Sequence, residues 1–237
     1  MGSEKIQGYS KKGANLIMHR TYNNISDACT SNADKTSAHA KLLSTTIQML
    51  GSTCLHNISV RAISKKSGIN SAMISYYFGS KELLYKAVLQ EQCSVFKVAT
   101  DTLFSTEGDI AANLADAFTA MASFYATNPY WLNIYLREIA NPTQWYEQIV
   151  RPCMDEVTGK AIGMFKAGIT QGVFRPDIQP VHVVQALFGI IQLRSIQSSV
   201  PNGPLSCQKT DTAEYLSFSQ QMLMQYVLMT HKQGSSE

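Results

Sequence analysis

The sequence predicts an all-α fold in which a small basic helical module precedes a larger acidic one. Three observations carry that reading. Apolar residues recur at steps of three and four along most of the chain, and no stretch alternates as a strand would. Two short helical patterns meet at a Ser-Gly break near residue 67. Charge is unevenly placed: the 237 residues sum to +3. Residues 36–90 hold six lysines and arginines against Glu82 alone, a local +5, whereas residues 91–237 are net −4. Such asymmetry suggests a polyanion partner for the first part only.

Taken in order, residues 1–35 are rich in Ser, Asn, Lys and Gly and read as a flexible tail. The first helix starts after Thr36, with Ala40, Leu43, Ile47 and Leu50 as its apolar face, and ends near Gly51. A second, at Ser59–Lys66, turns Val60 and Ile63 inward and Arg61, Lys65 and Lys66 outward. Ser67-Gly68 stops it, since glycine accepts the left-handed backbone at a helix C-terminus. Asn70 then caps a third helix, Ser71–Tyr77. Two short helices across so short a turn describe a helix-turn-helix. Ser80 caps a long helix running towards Phe104.

Beyond it the helical pattern continues. An amphipathic stripe, Ile110 to Tyr125, is followed by helices near Pro129–Ile139, Pro142–Val150 and on to about Gly172. Gly172 to Asp177 is a turn. Val181–Ser198 is apolar on nearly all sides, and a last helix spans about Thr212–Thr230. The organisation expected is a tail at 1–35, a helix-turn-helix domain at 36–82 and a helical domain at 83–237.

The third helix presents a slim, polar outer face. Met73, Ile74 and Phe78 pack inward, leaving Ser71, Ala72, Ser75 and Tyr76 outside. A helix enters the DNA major groove only with such a leading face. Tyr76 and Tyr77 offer hydroxyls to phosphates, Lys81 a point charge, and Arg61 a guanidinium for a phosphate or guanine. Ser59, Arg61, Asn70, Ser71, Ala72, Ser75, Tyr76, Tyr77 and Lys81 are thus the candidate contacts to double-stranded DNA, some setting register and a few reading bases.

This stretch resembles the TetR/AcrR family of bacterial transcriptional regulators. The family's pattern V-R-x-I-A-x-x-A-G-V-S-x-x-x-(L/I)-Y-x-x-F-x-S-K-E-x-L is met in register by Val60, Arg61, Ile63, Gly68, Ile69, Ile74, Phe78, Ser80, Lys81, Glu82 and Leu84, with Tyr76 and Tyr77 at the two open positions before Phe78. The match covers about residues 41–88. Ser64 and Ser67 stand where alanine is usual, Asn70 replaces a capping serine, Ser75 a frequent tyrosine, and Cys54 a frequent glycine.

The resemblance implies that the second part holds a small-molecule effector pocket and a homodimer interface, and that repression of a palindromic operator is the commonest outcome. Phe118, Met121, Phe124, Tyr125, Trp131, Tyr135, Trp145, Met164, Phe165 and Phe188 are the residues expected to line an apolar pocket, though core packing explains each taken singly. Arg137, Glu138 and Arg194 are the charged candidates near it, the first two read as surface charges. Leu187, Ile190, Ile191 and Arg194, with Tyr215, Phe218, Met222 and Tyr226, are expected to pair with their copies as a four-helix interface. The helix from Lys81 would be the lever between the two parts.

Other classes find less support. No Walker loop, dinucleotide fingerprint, G-x-S-x-G elbow or H-E-x-x-H pair occurs, and Glu147, Asp155 and Glu156 read as a solvated helix face. An enzyme is therefore not expected, nor a cofactor. The five cysteines and five histidines lack metal or redox spacing, so no metal site is expected. No apolar run reaches the roughly 18 residues of a membrane span and no secretory signal opens the chain, so a bacterial cytoplasmic protein is expected. The alternative is an all-helical interaction scaffold without sequence-specific DNA binding.

Overall fold

The computed structural model describes residues 33–199 and 212–228, Cys54 excepted. Among them nine α-helices follow one another, with an isolated antiparallel bridge between Phe174 and Leu228 in place of any strand. They are α1 (Ala33–Leu50), α2 (Val60–Ser67), α3 (Ala72–Phe78), α4 (Lys81–Thr100), α5 (Ile110–Thr127), α6 (Pro129–Ala140), α7 (Arg151–Thr170), α8 (Pro180–Ser199) and α9 (Thr212–Val227). A short 3-10 turn at Leu55–Asn57 precedes α2, and a π-turn at Tyr146–Val150 leads into α7. Much of the expected 1–35 tail and the 200–211 loop lie outside the described residues.

Apolar side chains gather in two clusters. The smaller joins Leu42, Leu50, Ile58, Ile63, Ile74 and Leu84 and also takes Ile134 from α6 and Val150 from the π-turn. The larger, around Phe96, Phe118, Met121, Phe124, Trp131, Met164, Phe165 and Leu187, fills the space between α4 and α9. The long helix α4 serves both: Leu84, Tyr85, Val88 and Leu89 belong to the first, Cys93 and Phe96 to the second.

The buried face of α1 differs from the expected one. Ala40 is exposed, and the face centres on Leu42, Thr45, Thr46 and Leu50. Two threonines reach the core there because Thr46 turns its hydroxyl back to the Leu42 carbonyl at 2.7 Å, satisfying itself within the helix.

Arg137 and Glu138 also depart from their reading as surface charges. Arg137 is half-buried and donates from Nη1 to the carbonyls of Leu50 and Thr53, the latter at 2.7 Å. Asn133, one turn earlier on α6, donates to the Gly51 carbonyl at 2.9 Å. Together they satisfy the carbonyl end of α1, which no following helical turn would satisfy. Glu138 is 1% exposed. One carboxylate oxygen accepts the Tyr85 hydroxyl of α4, and the other accepts Thr143 N at 3.2 Å and Thr143 Oγ1 at 3.0 Å. Gly51 is required here by close approach: a Cβ on it would stand 2.1 Å from the Tyr130 ring.

Replacing Arg137 with alanine leaves the half-buried Leu50 and Thr53 carbonyls without their donor. We expect a loss of about 1–3 kcal/mol in urea denaturation, seen as a lower midpoint at unchanged slope. An unaltered midpoint would show that water replaces the guanidinium at no cost.

Candidate nucleic-acid interface and effector body

The helix-turn-helix is held by short, local hydrogen bonds. Ser59 Oγ accepts the Ala62 N–H at 3.0 Å and starts α2. Gly68 ends it at φ 70°, its N–H bonding the Ser64 carbonyl at 2.9 Å. Ser64 Oγ then donates to the Ile69 carbonyl at 2.6 Å, and Ser67 Oγ accepts the Ile69 N–H at 3.2 Å. Asn70 Oδ1 accepts the Ala72 N–H at 2.9 Å, so Asn70 caps α3 although the helix begins one residue later than expected. Serines at 64 and 67, where alanine is usual in the resembling family, therefore bind the turn from both sides.

α3 is anchored on one side and bare on the other. Ile74 is buried, while Met73 and Phe78 pack half-buried against the smaller cluster. His39 of α1 stacks on Phe78 with ring centroids 4.6 Å apart, Tyr77 meets His39 edge-on at 5.8 Å, and Tyr76 meets Tyr77 at 5.1 Å. The aromatic chain runs from α1 out to Tyr76, which is 66% exposed. Ala72 and Ser75 are exposed beside it, as are Ser59, Arg61 and Asn70. Ser71 and Tyr77 are half-buried. These predicted contacts fall on α3, its cap and the start of α2, with no carboxylate among them.

Lys81, expected as a phosphate contact, also meets the domain's own backbone. Its Nζ lies 3.4 Å from the Leu55 carbonyl and 3.3 Å from that of Ile58, so it ties α4 to the turn before α2. The start of α4 is otherwise set by Ser80, whose Oγ accepts the Leu83 N–H at 3.1 Å. Glu82 is held below the usual carboxylate range by its own backbone N–H and the Ser80 hydroxyl.

In the larger body, eight of the ten residues expected to line a pocket (Phe118, Met121, Phe124, Tyr125, Trp131, Met164, Phe165 and Phe188) are buried in one cluster. Phe96 of α4, not singled out in the sequence, stands among them, 5.0 Å from Trp131 and 5.3 Å from Phe124 between ring centroids. Its place in a long, weakly patterned helix offers no signal that it joins these rings. Tyr135 stacks on Trp131 at 5.7 Å, its hydroxyl pushed up to about 12 by burial. Trp145 stands apart, in the smaller cluster, with the Lys86 ammonium 4.7 Å above its ring. The Trp131 indole N–H is buried and meets no acceptor among the described residues.

A cavity of about 160 Å³ borders this region, lined by Tyr125, Leu132, Asn133, Arg194, Ser195 and Leu216, among others. A second of about 300 Å³ lies instead against the smaller cluster, lined by Leu50, Leu55, Tyr85, Ile134, Arg137 and Glu138 among others.

The residues expected at a dimer interface divide. Leu187 and Ile191 are buried in the subunit's own core, and Ile190 is half-buried. Arg194 lies over the Tyr215 ring at 5.4 Å. Phe218, Met222 and Tyr226 face outward, Phe218 64% exposed, and Leu193 of α8 joins them. Among the described residues no helix is long and apolar enough to cross a membrane.

Residues 42–88 match the family model for bacterial regulatory proteins of the tetR family. Over 127 residues the chain is 29% identical to the HTH-type transcriptional repressor NicS of Pseudomonas putida, covering 52% of this chain and 59% of that one. The ketosteroid transcriptional regulator KstR2 of Mycobacterium tuberculosis shares the fold, with a TM-score of 0.63 at 19% identity over 81% of this chain and 95% of that one. So does a TetR transcriptional regulator from Chloroflexus aurantiacus, with a TM-score of 0.66 at 14% identity over 84% of this chain and all of that one.

Gly68→Ala places a Cβ at φ 70°, where L-residues are strained by about 1–2 kcal/mol. Nothing lies within 4 Å of that Cβ, so the loss in thermal or urea unfolding should stay within that range and reflect backbone alone. A larger loss would mean that the turn is held by contacts beyond its backbone conformation.

Proposed function

From the match of residues 42–88 to the tetR family model, we propose that this chain is a ligand-responsive DNA-binding regulator, a repressor that binds a palindromic operator as a homodimer. The observation that carries this reading is the outer face of α3: Ala72, Ser75 and a widely exposed Tyr76, held by a capped turn and bordered by Arg61, Lys65 and Lys66. Small side chains let the helix approach base edges, and the cations beside it neutralise phosphates. Ser59, Asn70, Ser71 and Tyr77 flank that face and supply hydroxyl and amide groups for the backbone. Lys81 acts mainly through α4, by fixing the start of that helix.

A homodimer is supported by the outward residues of α8 and α9. Leu193, Phe218, Met222 and Tyr226 make an apolar face with no acidic side chain among them, which is unfavourable in water and suited to a second copy. Two-fold pairing there would set two α3 helices on successive half-sites of a palindrome.

The effector is a small, largely apolar molecule that enters from the cavity beside Tyr125 and Leu132 and parts the packed rings of Phe96, Phe124, Trp131 and Tyr135. An acceptor atom on it would satisfy the Trp131 indole N–H. Binding would shift the population of α4 positions and so of α3 relative to the DNA grooves.

Selection of bound sequences from a random duplex pool tests the reading. We expect enrichment of a palindrome, weakening of binding as salt rises, and loss of enrichment with Tyr76→Ala at unchanged helicity. Enrichment of no sequence at any salt concentration would sink it in favour of a helical interaction scaffold. Phe218→Asp should separate the subunits in light scattering and lower DNA affinity by about tenfold or more, since each half-site then binds alone. A dimeric mass for this variant would place the interface elsewhere.

A further inference from the structure

Two buried thiols meet where the lever helix crosses the start of α7. Cys93 of α4 is 5% exposed and Cys153 of α7 is 4% exposed. Cys153 Sγ lies 3.7 Å from the Cys93 carbonyl oxygen, and Cys93 Sγ lies 3.8 Å from that of Ile149, in the π-turn that feeds α7. Each thiol thus donates to a backbone carbonyl across the gap, Cys93 to Ile149 and Cys153 to Cys93 itself. We propose that Cys93 and Cys153 form an oxidisable dithiol, a modification site for small hydroperoxides whose disulfide ties α4 to α7 and resets DNA affinity.

Geometry favours closure. A disulfide needs sulfurs about 2.05 Å apart, and Cys153 Sγ already stands 3.7 Å from the backbone oxygen of Cys93, so rotation of the two short side chains is the movement that closes it. The two residues lie 60 positions apart in the chain, and the bond would link two separate helices rather than neighbours in one.

The surroundings make the pair unequal. Hydrogen bonding from Cys93 and the Lys97 ammonium hold the Cys153 thiol below its ordinary range, whereas that same bond and burial push Cys93 up. Lys97 sits one turn after Cys93 and pairs with Glu156, which also meets Lys160 at 3.4 Å; Lys160 reaches Asp101 at 2.8 Å. This exposed rim of alternating charge joins α4 and α7 beside the pair.

The chemistry balances without a further reactant. The Cys153 thiolate attacks one peroxide oxygen, the O–O bond breaks, and the leaving oxygen takes a proton to give an alcohol or water and a Cys153 sulfenic acid. The Cys93 sulfur then attacks the Cys153 sulfur, and its proton leaves with the hydroxyl as water. Two thiols lose two electrons in all, and the peroxide gains them.

The effect on DNA rests on the regulator reading, while the dithiol stands without it. Full-length protein is treated with hydrogen peroxide, alkylated with N-ethylmaleimide and mapped by mass spectrometry. In parallel, its affinity for the duplex enriched by selection is measured before and after. We expect a Cys93–Cys153 linked peptide lighter by two hydrogens and reversed by dithiothreitol, and an affinity changed about fivefold or more. Cys153→Ser, checked for native helicity, should abolish both changes. Recovery of both cysteines as separately alkylated peptides overturns the dithiol. A complete cross-link with unaltered affinity overturns the switch. If neither redox state binds any duplex, the regulator reading fails, yet the mass still reports on the thiols.

Discussion

The carbonyl end of α1 is the point on which the arrangement turns. A helix that stops at Leu50 leaves carbonyls without partners, and here they are answered from 80 residues away by Arg137 and Asn133 of α6. The next residue of α6, Glu138, is spent inward on the Tyr85 hydroxyl of α4. One helix of the body therefore holds the first helix of the head by its end and the connecting helix by its side. A charge-assisted bond to a carbonyl is directional, which an apolar contact is not, so this clasp sets an angle as well as a distance. The cavity of about 300 Å³ beside it, lined by the same Arg137 and Glu138, shows that the junction is not packed solid. A junction held by a few directional bonds around open space can have more than one stable arrangement, the physical requirement for a two-state element.

From that fixed end the small module is built by short-range rules. Ser59, Gly68, Asn70 and Ser80 act within a few residues of themselves, each satisfying a helix end. The result is a recognition helix of seven residues that is too short to be stable alone. It is ordered by Ile74 beneath it and by the ring chain from His39 through Phe78. Lys81 belongs to this scaffold as well, since its ammonium spans α4 and the turn before α2.

Connection between the two apolar clusters runs through α4. Its first half belongs to the cluster under the recognition helix and its second half to the rings of the body. Phe96 stacks on Trp131 with ring centroids 5.0 Å apart, and Cys93, one turn earlier, lies against Cys153. Any change among the body's rings, or between the two sulfurs, therefore acts on the helix that carries the head.

The helix-turn-helix was legible because its determinants are local. Cap residues, the Ser-Gly break and the spacing of Val60, Ile63 and Ile74 act within one or two turns, and their order along the chain is their order in space. The face of α1 was misplaced because two buried threonines hide its periodicity, the Thr46 hydroxyl satisfied within the helix itself. Arg137 and Glu138 looked like surface charges since nothing nearby in sequence reveals that α6 ends against α1. Of the residues expected at the dimer face, Leu187 and Ile191 turned inward, while Leu193, not among them, turned out, a choice that an all-round apolar helix leaves to its neighbours. By itself, then, the sequence determined the helices, their caps and the bare face of α3, because each depends on bonds a few residues long. The clasp on α1, the gathering of rings about Phe96 and the meeting of Cys93 with Cys153 were decided only in the tertiary structure, where partners tens of residues apart are chosen by burial and by the need to satisfy every enclosed polar group.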